Sequence, residues 1–142
     1  MHRSGTSAIT RGLKALGVEL GENLMPAAAG IKEKGFWEDL DVYRFNNELL
    51  HYLGYEWHTL EPIQRSEYER DDVVPFKLRA VELLHEKLKN TSIFGLKDPR
   101  IARLLPFWKI VFADLGVDVG YIIAIRHPLS VAARGSGHPG SP

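Results

Sequence analysis

Two short apolar runs constrain this chain more than anything else in it: SIFGL at 92–96 and VGYIIAI at 119–125. Each is bounded by polar residues and stops at a polar turn, Lys97-Asp98-Pro99 in the first case and Arg126-His127-Pro128 in the second. Both read as buried parallel strands, each followed by helical sequence. The remaining segments read mostly as helices. Residues 7–16 carry Ala8, Ile9, Leu13 and Leu16 at helical spacing, with Gly17 placed to end the helix. Residues 18–37 are rich in Gly, Ala and Pro and read as loop. Asp39 or Asp41 can cap a helix running to about Leu53, with Leu40, Phe45, Leu49, Leu50 and Leu53 as its apolar positions. After an irregular stretch at 54–72, Pro75 suits the first turn of a helix reaching about Lys89, with Leu78, Val81, Leu84 and Leu88 on one stripe and His85 at its margin. A last helix covers 101–115, where Pro106 is a point of interruption or restart.

Helices alternating with buried strands predict the α/β class, an open parallel sheet flanked by helices. In such sheets ligands bind where strands end and helices begin. The 142 residues suit one domain, with 44% apolar and 25% charged residues. The pattern holds over 1–133, and 134–142 (RGSGHPGSP) reads as a disordered tail. Eighteen basic and eighteen acidic residues cancel, so no global charge invites nucleic acid or an anionic membrane, and any anion site must be local. The absence of cysteine removes disulfides, thiolate metal sites and cysteine nucleophiles. No apolar run approaches the ~20 residues of a membrane span, and the opening MHRSG does not read as a signal peptide; a cytoplasmic protein is expected.

Three stretches can carry chemistry at strand ends. In MHRSGTS, Gly5 allows close backbone approach, successive N–H groups can form an anion nest at a helix start, and Arg3 adds a charge. The hydroxyls of Ser4, Thr6 and Ser7 either donate to phosphate-type oxygens or cap the helix. The stretch is not a Walker A motif. Arg126 ends the second run, as a fixed cation in the cleft or a solvated strand-end charge, and Ser130 follows as cap or ligand. Lys97, Asp98 and Arg100 leave the first run and could face the cleft, or pair with one another. In KEKGFWEDLD, at 32–41, Phe36 and Trp37 suit a packed loop better than a catalytic one. The six histidines show no metal-binding spacing, and no G-x-S-x-G turn supports acyl transfer.

Taken in order, MHRSGTS, KGFWED, LKDPR with LLPFW, and IIAIRHPLSVAA resemble the N-terminal part of bacterial sulfotransferase family proteins that use 3′-phosphoadenosine 5′-phosphosulfate. The resemblance implies a P-loop-like α/β fold and a sulfonyl transfer to a hydroxyl or amine acceptor, a carbohydrate among the candidates, with no metal. It assigns Arg3, Ser4, Gly5, Thr6 and Ser7 to the 5′-phosphosulfate. Arg3 stands where many members carry a catalytic lysine, which gives it an electrostatic role. Arg126 matches the arginine that binds the 3′-phosphate. Arg134 occupies the position where members usually carry a serine, either substituting as a cationic contact or marking where the family pattern ends. Glu38 is the first choice of general base, with Glu33 and Asp98 behind it, and Lys97 would balance charge on the sulfonyl group. Members also carry a hydrophobic strand before the first turn and further elements after the arginine strand, so the chain is expected to be truncated at both ends, with doubtful activity in this form. A non-catalytic nucleotide-binding fragment or pseudoenzyme is the alternative. A P-loop kinase-like protein is disfavoured by the missing Lys-Ser/Thr pair and magnesium-binding acid.

Overall fold

The computed structural model describes residues 5–27, 35–125, 127 and 129. Four helices carry it: α1 (Thr6–Ala15), α2 (Leu40–Tyr52), α3 (Val74–Leu88) and α4 (Ile101–Leu115), with short 3₁₀ turns at Arg65–Tyr68 and Asp71–Val73 between α2 and α3.

The helix starts and stops follow local chemistry. Asp39 caps α2: its Oδ1 accepts from the backbone N–H groups of Asp41 at 3.0 Å and Val42 at 3.2 Å, two donors that a helix start leaves without partners. Pro75 sits in the first turn of α3, where its missing N–H costs nothing. Gly17, at φ 88°, ends α1 by letting Val18 N donate back to Leu13 O at 3.1 Å. Pro106 neither interrupts nor restarts α4, which runs unbroken through it.

The core lies among α2, α3 and α4. On α2 the buried residues are Val42, Phe45, Asn46, Leu49 and Leu50, and on α4 Leu104, Phe107, Trp108 and Val111, both at the i, i+3, i+4, i+7 spacing of one helix face. Phe45 meets Trp108 edge-on at 5.5 Å, and Phe107 meets Trp108 at 5.7 Å. Tyr68 and Val73, from the 3₁₀ turns, close the cluster. On α3 the buried line is Phe76, Ala80 and Leu84, whereas Leu78, expected on the inner stripe, is 61% exposed. The 3₁₀ turn immediately before α3 contributes Val73 to the core, and the inward face continues from it through Phe76.

The expected α/β sheet is corrected by this architecture. Among the described residues there is no β-strand and so no parallel sheet; a P-loop-like fold, which is built on such a sheet, is corrected with it. Segment 92–96 forms only an isolated parallel bridge between Phe94 and Glu19, a residue expected in a loop. Glu19 N donates to Ile93 O at 3.1 Å and Gly95 N to Glu19 O at 2.7 Å, and no ladder continues. Phe94 and Leu96 turn instead onto the helical core. Segment 119–125 has no ladder partner among the described residues, and Ile123 and Ile125 are 80% and 87% exposed. A strand is stable only with a neighbouring backbone along its length, and an apolar run of a few residues does not specify one. No helix among the described residues is long and apolar enough to cross a membrane. The expected tail at 134–142 lies outside the described residues.

Candidate functional site

The turn before α4 gathers the polar side chains of the site. Lys97 stretches away from it, and its Nζ donates to the Phe36 carbonyl at 3.0 Å and to the Glu38 carboxylate, 59 positions earlier in the chain. The pair is nearly dry, with the Lys97 and Glu38 side chains 12% and 6% exposed. Glu38 is held at the backbone as well, since its carbonyl accepts from Met25 N at 2.7 Å and the next residue caps α2. Trp37, between the two groups that Lys97 touches, has φ 62°, in the left-handed region that a non-glycine residue seldom adopts. Lys14 of α1 lies 5.5 Å from the Trp37 ring.

Asp98 takes the opposite direction. Its Oδ2 accepts from Asn46 Nδ2 at 3.0 Å, and its Oδ1 accepts from Arg100 N at 2.9 Å and from Arg100 Nη1 at 2.8 Å. Arg100 Nε also donates to Asn47 Oδ1 at 2.7 Å, and the guanidinium covers the Tyr43 ring at 4.3 Å. This network ties the turn to α2 and holds the backbone from which Lys97 projects. Of the sequence alternatives for this turn, the Asp98–Arg100 pairing forms, while Lys97 turns to Glu38. Asp98 is thereby committed to structural contacts.

A groove of about 690 Å³ runs between α1, the 92–97 segment, α4 and the 117–124 segment. Thr6, Ile9, Lys97, Ile101, Leu105 and Tyr121 are among its walls, so the first residue of α1 and the lysine share one cavity. Its volume lies in the range of small-molecule sites. Gly5 is the N-cap residue of α1, and Ala8 N and Ile9 N both donate to its carbonyl. No acidic residue stands in the first turn of α1, so nothing there repels an anion. Thr10 Oγ1 donates to Thr6 O at 2.8 Å, which places that hydroxyl in the helix.

The structure thus brings Glu38 and Lys97 together and sets Thr6 in the same cavity as Lys97. Arg3, Ser4, Glu33, Arg126, Ser130 and Arg134, named from the sequence, lie outside the described residues. Asn46 and Asn47 were missed. Their signal was an Asn-Asn pair inside an otherwise apolar helical stripe, where a buried amide calls for partners. Among the described residues no group of three or more His, Cys, Asp or Glu side chains is placed to hold a metal ion. No family model, curated protein or solved structure matches the chain.

Proposed function

We propose that the chain is a sulfotransferase-type protein that takes 3′-phosphoadenosine 5′-phosphosulfate as donor and a hydroxyl or amine as acceptor, in the cytoplasm, with a carbohydrate among the acceptors. The observation that carries the reading is the Lys97–Glu38 contact. Two residues from separate segments of the resemblance, chosen for complementary roles, meet in a nearly water-free pair beside a groove that also receives Thr6.

The acceptor oxygen or nitrogen attacks sulfur in line and forms the new bond, while the bond from sulfur to the phosphate oxygen breaks. The electron pair leaves with 3′-phosphoadenosine 5′-phosphate. The acceptor's proton goes to the Glu38 carboxylate, a step that typically contributes ~10²- to 10⁴-fold in rate. Lys97 offsets negative charge on the transferring group, as cations do in related phosphate chemistry. Thr6 and Ser7, at the start of α1, are assigned to the phosphosulfate together with Arg3, Ser4 and Gly5, and Arg126 and Arg134 to the 3′-phosphate.

Calorimetric titration with 3′-phosphoadenosine 5′-phosphate, with ATP as control, tests the reading. Micromolar binding selective for the 3′-phosphate is expected, and substitution of Arg3 by Ala should weaken it. No binding by the folded chain overturns it. A second reading, nucleotide binding without turnover, draws on one observation: the carboxylate that would take the proton is already engaged by Lys97. Sulfonyl transfer from labelled donor to an acceptor panel separates the two.

A further inference from the structure

We propose that the Lys97–Glu38 pair is an internal latch, which holds Glu38 until an anion in the groove draws Lys97 away. The inference rests on the function proposed above and adds a regulation of that site.

The two partners differ in freedom. The backbone of Glu38 is held by the Met25 N–H on its carbonyl and by the α2 cap that follows, and its side chain is shorter than that of Lys97 by one rotatable bond. Lys97 has a fixed backbone, because Asp98 is tied to Asn46 and Arg100, but four rotatable side-chain bonds. The mobile member is therefore the lysine. Its three N–H donors meet one carbonyl and one carboxylate, and only the carboxylate carries charge.

Beyond the hydroxyls at the start of α1, the described lining offers an incoming anion little charge. Among the described residues that line it, Lys97 is the one cation and Asp118 the one carboxylate. Breaking a nearly buried ion pair with nothing in its place leaves an uncompensated charge. An anion that reaches Lys97 compensates the ammonium, and the Glu38 carboxylate left behind is neutralised in turn when it takes the acceptor's proton, so separation is favoured only with the donor present. Glu38 is then left without its counter-ion and becomes a competent proton acceptor, at the point where a bound donor can be used. In the free protein the same contact keeps the carboxylate from activating water.

Because Glu38 and the anion compete for one ammonium, removing the carboxylate charge should help binding. Glu38→Gln is expected to tighten 3′-phosphoadenosine 5′-phosphate binding about tenfold by calorimetry. That gain should vanish in a Lys97→Met background, which distinguishes the latch from simple charge repulsion. In the unsubstituted protein, the ¹⁵Nζ resonance of Lys97, assigned by its loss in Lys97→Arg, should move on saturation with the same nucleotide; this measurement stands if Lys97→Met does not fold. An unmoved resonance, unchanged or weaker binding by Glu38→Gln, or an equal gain in both backgrounds overturns the latch and leaves the proposed function intact. Failure of the unsubstituted chain to bind overturns the function, and the latch with it.

Discussion

Trp108 donates its indole N–H to the side-chain oxygen of Asn46 at 2.9 Å, at the centre of the apolar core where both residues are fully buried. The amide nitrogen of the same Asn46 donates to Asp98, so one polar side chain links α2, α4 and the turn that carries Lys97. Asn46→Leu leaves an indole donor and a carboxylate oxygen without their partner. A loss of about 3 kcal/mol or more in chemical denaturation is expected, since each stranded buried group costs about 1–3 kcal/mol. Trp108→Phe strands only the Asn46 oxygen and should cost less than Asn46→Leu apart from its smaller volume. Equal stability of Asn46→Leu and the parent would contradict this account.

Gly21 lies directly against the α2 cap. A Cβ there would stand 2.1 Å from Asp39 Oδ2, and the residue has φ 94°. Gly21→Ala therefore meets both a clash and backbone strain, and the yielding group is the capping carboxylate. A destabilisation of about 2 kcal/mol or more is expected, the sum of a strained φ and a weakened cap. Thermal unfolding of the variant measures it, and an unchanged midpoint would remove Asp39 from its assigned place.

Lys87 joins the C-terminal end of α3 to the start of α2, with Nζ 2.8 Å from Asp39 and 2.6 Å from Asp41. Burial pushes the Lys87 ammonium down, but hydrogen bonds to Asp39 and Asp41 outweigh it and raise the group above its ordinary 10.5. The hydrogen bond from Lys87 in turn holds Asp41 below its ordinary 3.8, against desolvation. The Asp41 contribution to stability is complete above pH 3.8 and disappears as pH falls through its lower folded-state value. The Lys87 contribution is complete below pH 10.5 and disappears as pH rises through its higher folded-state value. The stability gap between the parent and Lys87→Met should thus be flat near neutral pH and shrink below 3.8. A gap that grows toward acid would reverse the assignment.

Pro106 occupies an exposed interior position of α4 and cannot donate to the preceding turn. Pro106→Ala restores an N–H without touching the core. The helix should gain about 1–3 kcal/mol, less than the full proline penalty because the unfolded chain also becomes freer. A higher melting midpoint checks it, and a lower one would mean that the proline ring packs against a neighbour.

How much of this was legible beforehand depends on the range of the interaction. The four helices follow from periodicity and end signals that operate within a few residues: Asp39 before α2, Pro75 in α3, Gly17 after α1. Those contacts are local, so the sequence carries them directly. Glu38 and Lys97 were selectable by residue type and resemblance, but their meeting across 59 positions was not. The runs at 92–96 and 119–125 are apolar, but they are not the buried strands of a sheet that their composition predicts. Strand pairing is a property of two segments, and neither run specifies its partner. Residue pattern alone therefore determined where this chain is helical and which side chains carry charge. The tertiary structure decided that Phe94 and Leu96 pack on helices instead of in a sheet, that Asp98 turns to Asn46, and that Lys97 turns to Glu38. Each of those outcomes is a competition between distant partners for one buried group, and it is settled only when the chain has brought them together.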